Sequence, residues 1–319
     1  MLQPMNCVFS ATQGFGDKTM KKRLLIFIGL LLLVVPGQPF NAHGAKIRYL
    51  ASVYVDQQGT GLKYPEGVAC TKNLLFVADT GNSRIVRYTY KDRAIIAETE
   101  YPLPNSSPIK LEVDSRGYLY ILDGRERRIA IMGTAGKVEG YFSPKGIPGG
   151  KDVVPRSFAI GSNDNLYLLD IFSRSVLVLD QTGQYLHKLP FPEDIGFFSD
   201  IAVDRQGTVY LLDSVKATVY SASAKAREIS LLSSGLREYI NFPTHITIDN
   251  RGILYLVDRN GGGLALLNQD GAFLARKLSM GWNESQLYYP AQICISEQGK
   301  IFIADRNNSR VQMFSLEEK

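Results

Sequence analysis

Residues 74–88 read LLFVADTGNSRIVRY, an apolar run that ends in Asp79, a Gly-Asn turn, and Arg84 ahead of a second apolar run. Residues 301–314, IFIADRNNSRVQMF, have the same layout, with an aspartate and an arginine at matching places. Two such copies in distant parts of one chain predict an internal repeat. Each residue is therefore interpreted by its place in that repeat.

The apolar strand that ends in aspartate occurs six times, at intervals of 43 to 47 residues. The aspartates are Asp79, Asp123, Asp170, Asp213, Asp258 and Asp305. Each copy has a short strand upstream, joined by turns such as DSRG and DNRG, and further strands downstream. Glycine suits such turns because it reaches positive φ. Four short strands per repeat of about 45 residues predict an all-β fold, a six-bladed β-propeller with four-stranded antiparallel blades.

The last repeat ends after its third strand, whereas residues 47–55, IRYLASVYV, form a strand-like run without a blade of its own. We predict that this run pairs with residues 310–316 and closes the ring. Closure would cover strand edges that otherwise promote aggregation. Residues 46–319 then form one domain of six blades.

The N-terminal 45 residues are expected to be a leader. Residues 20–45 combine a basic start, the apolar run LLIFIGLLLLVV and a small-residue exit, which is typical of a signal peptide. This apolar run is shorter than the roughly 20 residues that span a bilayer. Residues 1–19 are an extension or a misassigned start before Met20. We expect an exported protein, periplasmic or extracellular, without stable membrane insertion after cleavage; an uncleaved N-terminal signal anchor is the alternative.

The charge of the chain gives no reason to expect a nucleic-acid partner. The net charge is +5, and residues 1–45 contribute +3 of it, so the predicted propeller is nearly neutral. Proteins that bind nucleic acid usually carry a strong basic patch or stripe. We therefore predict no nucleic-acid binding.

Two cysteines, Cys70 and Cys294, remain after the leader, too few for a disulfide framework. They lie on the predicted inner strands of the first and last blades, which become neighbours when the ring closes. We predict two buried thiols, because the strand pattern turns the side chains in different directions. The alternative is a disulfide that joins the two blades.

The sequence resembles the NHL repeat family. The resemblance rests on Pro-x-Gly-Val-Ala at 65–69, on Ala78-Asp-Thr-Gly-Asn-Ser-Arg84, and on Ala304-Asp-Arg-Asn-Asn-Ser-Arg310. It covers residues 46–319 and is weaker in the middle blades. There, the arginine position is occupied by Ser175, Thr218 and Gly263.

The six aspartates are expected to be structural, together with Arg84 and Arg310. A carboxylate at the end of a strand can accept hydrogen bonds from backbone N–H groups of the following turn. The arginine at the start of the third strand can pair with it. Six equivalent catalytic acids around a ring would make no chemical sense.

The first strand of each blade is predicted to line a central channel. Side chains alternate along a strand, so the second and fourth positions after the proline, or its equivalent, face the channel. The third and fifth positions then pack between blades. The second-position ring is Gly67, Lys110, Ser157, Asp200, His245 and Gln292. The fourth-position ring is Ala69, Glu112, Ala159, Ala202, Thr247 and Cys294.

These rings leave an enzymatic alternative open, a hydrolase or lyase at the channel mouth that uses His245, Asp200, Glu112 and Lys110, with or without a metal ion. We favour a satisfied His–Asp pair in a solvated channel. Related six-bladed enzymes, the secreted amidating lyases and gluconolactonase-like propellers, hold zinc with several histidines or calcium with carboxylates and an asparagine. One inner-strand histidine and two carboxylates in non-adjacent blades match neither pattern. We therefore predict no metal and no cofactor.

One face of the ring gathers the loops that lead into each blade and the loops between second and third strands. Aromatic residues and arginine, the types that dominate binding hot spots, are frequent there. The candidate binding residues are Trp282, Phe198, Phe197, Tyr141, Tyr289, Arg125, Arg127, Arg174, Arg259 and Arg306. We predict a monomer that binds a protein, peptide or glycan through this face and does no chemistry.

Overall fold

The computed structural model describes residues 46–150 and 152–317; the predicted leader lies outside the described residues. The described part contains 26 β-strands and three short 3-10 helices. The helices are Thr80–Asn82, Leu236–Glu238 and Arg306–Asn308. No helix in this part of the chain is long and apolar enough to cross a membrane.

Six sheets of four antiparallel strands form the blades, and in blades 1 to 5 the strands follow one another in chain order. A strand β1 (Lys46–Val53) precedes blade 1. Blade 1 contains β2 (Gly67–Cys70), β3 (Leu74–Asp79), β4 (Arg84–Lys91) and β5 (Ala94–Pro102). Blade 2 contains β6 (Pro108–Val113), β7 (Leu119–Asp123), β8 (Arg128–Met132) and β9 (Val138–Tyr141). Blade 3 contains β10 (Pro155–Ile160), β11 (Leu166–Asp170), β12 (Ser175–Leu179) and β13 (Tyr185–Pro190).

The second half of the chain repeats this arrangement. Blade 4 contains β14 (Phe198–Val203), β15 (Val209–Asp213), β16 (Thr218–Ala222) and β17 (Ser230–Ser233). Blade 5 contains β18 (Pro243–Ile248), β19 (Leu254–Asp258), β20 (Gly263–Leu267) and β21 (Phe273–Lys277). A short parallel pair follows, β22 (Ser279–Met280) and β23 (Gln286–Leu287). Blade 6 contains β24 (Ile293–Ile295), β25 (Lys300–Asp305) and β26 (Arg310–Glu317).

The fourth strand of blade 6 is β1, so the two ends of the described chain meet in one sheet. β1 runs antiparallel to β26, with Lys46 opposite Glu317 and Val53 opposite Val311. The register shifts once, between Tyr49 and Ala51. The paired strand is residues 46–53, slightly earlier than the 47–55 expected from the sequence.

In blades 2, 4 and 5 the turns between first and second strands follow the Asp-x-x-Gly pattern. In blade 2, the Asp114 carboxylate accepts the backbone N–H groups of Arg116 at 3.0 Å and Tyr118 at 2.8 Å. Gly117 has a φ of 87°, a conformation that other residues adopt at a cost. The Asp114 carboxylate therefore serves as the hydrogen-bond acceptor for N–H groups of the turn that lack a backbone acceptor.

The core is divided among the seams between blades. Six apolar clusters are present in the described residues, each shared by two neighbouring blades. In the seam between blades 6 and 1, Phe302 and Met313 pack with Leu75 and Tyr88. This arrangement explains the run of apolar residues in the second and third strands, which are covered on both sides.

The third position of the first strand packs between blades as predicted, since Leu111 and Ile246 are buried. The prediction for the fifth position is confirmed, because Val113, Ile160 and Ile248 pack against the apolar clusters of the seams. These three side chains are only partly buried, and they also line a cavity at the turn end of the channel.

Cys70, at that fifth position in blade 1, lines the same cavity and is bonded to Cys294 of blade 6. The Cα atoms are 6.0 Å apart, within the usual range for a disulfide. The prediction of two free thiols is therefore wrong. It failed because both side chains pack against the cluster between blades 6 and 1, whereas strict alternation placed only Cys70 there.

Candidate functional site

Each repeat aspartate connects two loops on the same face of the ring. Asp213 accepts N–H groups from the loop before its blade, Gly196 at 2.6 Å and Phe197 at 3.0 Å. It also accepts those of Val215 at 3.0 Å and Lys216 at 2.9 Å in the loop that follows. The other five aspartates are also buried and accept N–H groups from the loop before their blade. All six carboxylates are thus engaged in holding loops.

Arginine supports this arrangement where the repeat is most regular. Arg84 Nε donates to Asp79 at 2.8 Å, and blade 6 contains the equivalent pair. In blade 5 the arginine position is Gly263, and Arg276 from the outer strand β21 reaches Asp258 at 2.7 Å instead. The same carboxylate partner is therefore supplied from a different strand.

The second-position side chains form a buried polar cluster inside the ring. Lys110 Nζ lies 2.6 Å from Asp200 Oδ1 and donates to Ser157 Oγ at 2.9 Å. Asp200 Oδ2 lies 2.6 Å from His245 Nδ1, so the predicted contact between these two residues is present. Side chains from four successive blades therefore meet around one carboxylate.

The cluster continues through the remaining blades. His245 Nε2 donates to the carbonyl oxygen of Ile293 in blade 6 at 3.2 Å. Gln292 Oε1 accepts the N–H groups of Val68 and Leu111, each at 3.1 Å, and its Nε2 donates to the Leu111 carbonyl at 2.9 Å. We call these contacts the channel network. It passes through all six blades and returns to blade 2.

Asp200 is the negatively charged centre of the channel network. Burial would raise the pKa of Asp200, but the charges and hydrogen bonds of His245 and Lys110 hold it well below its usual range. Both ring nitrogens of His245 face acceptors, a carboxylate and a carbonyl. The polar side-chain atoms of Lys110, Asp200 and His245 are thus all bonded to other parts of the protein.

Glu112, in the fourth-position ring, is a different case. Among the described residues, its carboxylate has no hydrogen bond or ion pair. Burial raises its pKa to about 7; nearby Lys110 lowers it, and Asp200 raises it. Glu112 therefore changes charge near neutral pH, at a point of the channel otherwise lined by small residues.

We expect Glu112→Gln to make the protein more stable than wild type at pH 8, by about 1–3 kcal/mol, and equally stable at pH 4. The pKa of Glu112 is higher in the folded protein than in the unfolded chain, so folding favours the protonated carboxyl group. Wild-type stability is fully present below pH 4.5 and falls as pH rises through about 7. Urea unfolding at both pH values measures this difference. Glu193→Gln, at an exposed position, is the control, and a pH-independent difference for Glu112→Gln would contradict the account.

The loop face exposes most of the predicted binding residues. Trp282 is 73% exposed, and Tyr141 and Phe197 are also exposed. The exposed arginines of this set are Arg125, Arg127 and Arg174. The partly buried residues are Arg259, Arg306 and Tyr289.

Phe198 is a correction, because its side chain is only 2% exposed. Its ring packs edge-on against Phe191 at 4.9 Å and Tyr220 at 5.2 Å. Phe198 begins the first strand of blade 4, so its side chain fills a seam, whereas the preceding Phe197 remains in the loop. Composition alone did not distinguish these two neighbours.

Arginine and aromatic side chains pair on the loop face. Arg306 lies over Tyr64 with 5.1 Å from guanidinium to ring centre, and Arg156 lies over Phe197 at 5.2 Å. Sequence reasoning missed Arg156. Arg156 could have been identified from its place in the repeat, because it immediately precedes Ser157 of the second-position ring.

The described residues contain no preformed cluster of metal ligands. No group of three or more His, Cys, Asp or Glu side chains there is arranged to hold a metal ion.

Comparison with known proteins supports the repeat assignment. The model of the NHL repeat family matches residues 287–314, which span the end of the loop before blade 6 and most of that blade. A comparison with curated proteins finds no match.

Solved structures share the fold at low sequence identity. Virginiamycin B lyase from Staphylococcus aureus is 14% identical, with a TM-score of 0.59 over 86% of this chain and 100% of that chain. A gluconolactonase from Xanthomonas campestris is 15% identical, with a TM-score of 0.62 over 86% and 90%. A chain of a nidogen/laminin complex is 15% identical, with a TM-score of 0.54 over 73% and 93%.

Identities this low show that the fold is shared and nothing more. The proteins that share it include two enzymes and a chain of a protein complex. The repeat-family match in the last blade and the six sheets agree with each other. The chain is therefore a six-bladed β-propeller, and its last blade matches the NHL repeat model.

Proposed function

We propose that this propeller binds a protein, peptide or glycan through its loop face and does no chemistry itself. One observation carries the proposal: the polar side chains of the channel network bond to one another, whereas aromatic and arginine side chains of the loop face remain uncovered.

The exposure of Trp282 is the strongest sign of a binding surface. Its ring lies 5.6 Å from that of Tyr288, which in turn lies 5.1 Å from Tyr289. A large apolar side chain left in water, next to other aromatic rings, is typical of an interaction site. The loop before blade 6 therefore supplies the proposed contact centre.

Export is part of the proposal. It is supported by the signal-like sequence of residues 20–45 and by the Cys70–Cys294 disulfide, which suits an oxidising compartment. We propose a periplasmic or extracellular monomer, and the near-neutral propeller favours a partner other than nucleic acid.

We expect Trp282→Ala to reduce partner capture at least tenfold, because truncating a central aromatic anchor commonly costs about 2–4 kcal/mol of binding. The tagged protein is incubated with the exported fraction of its own cell, and captured molecules are identified by mass spectrometry. Leu231→Ala, on the outer strand β17, is the matched control because Leu231 is also exposed. Equal capture by the Trp282 variant, or no specific capture at all, would contradict the proposal.

A second candidate is a hydrolase or lyase that uses Glu112 as a general base. The raised pKa of about 7 favours it, because an effective base titrates near the working pH. The names of two similar folds, a lyase and a gluconolactonase, support the same candidate. Turnover of a lactone or ester that is lost in Glu112→Gln, with the folded structure intact, would favour this function over binding alone.

A further inference from the structure

In three of the six blades, the residue that follows the repeat aspartate bonds to the next blade; in blades 2 and 3 this residue is Gly124 and Ile171, which have no polar side chain. Thr80 Oγ1 donates to the carbonyl of Pro108 at 2.6 Å, and Ser214 Oγ donates to that of Pro243. In blade 6 the residue is Arg306, whose Nε donates to Glu66 of blade 1 at 2.7 Å. This position thus connects neighbouring blades at the channel mouth.

Arg259, the same position in blade 5, breaks this pattern. In the next blade, Ala291 occupies the place that Glu66 has in blade 1. The Arg259 guanidinium consequently has no hydrogen bond or ion pair within residues 46–150 and 152–317. Among the described residues, the Arg259 guanidinium therefore lies at the channel mouth without a carboxylate partner.

The surroundings of Arg259 favour an anion. It lines a cavity of about 160 Å³ together with Arg156 and the Thr244 side chain, whose buried hydroxyl oxygen has no partner among the described atoms. Burial lowers the pKa of Arg259; Glu66 raises it, and the charges of Arg306 and Arg156 lower it. Two arginines beside one cavity repel each other unless a negative group lies between them.

The acidic side chains at this cavity are already neutralised. Glu66 is bonded to Arg306, and Asp200 to Lys110 and His245. The cavity can hold about five water molecules at roughly 30 Å³ each, enough for a carboxylate and its neighbouring carbons. A planar carboxylate also matches the paired N–H groups of a guanidinium.

We propose that the channel mouth binds a carboxylate group through Arg259, with Arg156 and the Thr244 hydroxyl as further contacts. This inference rests on the proposed binding function and specifies the chemistry of the ligand. The carboxylate belongs either to a small organic acid or to an acidic side chain of a bound peptide.

The test measures binding of named probes by calorimetry at low ionic strength, where charge interactions are least screened. Glutarate represents a free acid, and its neutral analogue glutaramide is the chemical control. N-acetyl-Ala-Glu-Ala-amide and its glutamine counterpart represent a peptide. We expect glutarate or the glutamate peptide to bind, and the neutral counterpart of each to bind at least tenfold more weakly.

Arg259→Gln should weaken binding of the acidic probe at least tenfold, and Arg259→Lys should weaken it too, because lysine lacks the fork. Arg93→Gln, at an exposed position in the turn between β4 and β5 and outside the loop face, should change it less than twofold. Absence of binding by every acidic probe, or unchanged binding by Arg259→Gln, would overturn the inference. Partner capture that depends on Trp282 but not on Arg259 would leave the proposed function standing and reject only the carboxylate site.

Discussion

Asp200→Asn is expected to lower the free energy of unfolding by about 3–5 kcal/mol, since a buried ion pair that loses one partner leaves the other charge uncompensated. Asp200 is 3% exposed and contacts Lys110, Ser157 and His245. It also accepts the N–H of Ile246 at 2.9 Å. Asparagine keeps the shape of the side chain but not its charge, so Lys110 loses its counter-charge and His245 loses its carboxylate partner.

Urea unfolding at pH 7 measures this loss. The pKa of Asp200 is lowered by folding, so its stabilising contribution is present above the unfolded pKa of about 3.9 and declines as the pH falls through the lower, folded value. The difference between wild type and Asp200→Asn should therefore shrink in acid. Asp194→Asn is the control, because Asp194 is exposed and its ion pair with Lys216 should contribute less than about 1 kcal/mol. A loss below that level for Asp200→Asn would mean that the channel network does not hold the blades together.

Replacing Cys70 and Cys294 together by serine is expected to lower the free energy of unfolding by about 3–5 kcal/mol. The disulfide joins residues separated by 224 positions, so in the unfolded state its loss removes a constraint on most of the chain that forms the propeller. It also connects blades 1 and 6, the two blades that meet at the closure of the ring. For a domain of this size the midpoint of thermal unfolding should fall by about 10 °C.

Thermal unfolding with and without reductant checks this prediction. Wild type in reductant should approach the double serine variant, and the variant itself should not respond to reductant. Alkylation before reduction should leave Cys70 and Cys294 unmodified, as judged from peptide masses. Rapid alkylation of both residues in the oxidised, folded protein would contradict the disulfide.

The blade number and strand order could be predicted because the repeat is short and regular. Each aspartate ends an apolar strand, and its spacing counts the blades without any knowledge of contacts. The contact between Asp200 and His245 could also be predicted, because one position in each blade was followed around the ring. Alternation of side chains was enough for positions in the middle of a strand.

The same rule failed near strand ends. Alternation pointed Cys70 and Cys294 in different directions, but both pack against the seam between blades 6 and 1, so their bond was not the expected state. Phe198 lies where a loop becomes a strand, and one residue of difference decides between exposure and burial. The open guanidinium of Arg259 depends on an alanine in the next blade, a relationship that becomes visible only when neighbouring blades are superposed position by position.

A double-mutant cycle between Asp200 and Lys110 tests the structural role of the channel network most directly. Asp200→Asn and Lys110→Met each leave a buried charge without its partner, whereas the double variant removes both charges of that pair. The double variant should be less destabilised in urea than the sum of the single variants, by at least about 2 kcal/mol. Additive effects within about 0.5 kcal/mol would show that the two residues do not stabilise the ring through each other, and the assignment of the channel to structure would then be wrong.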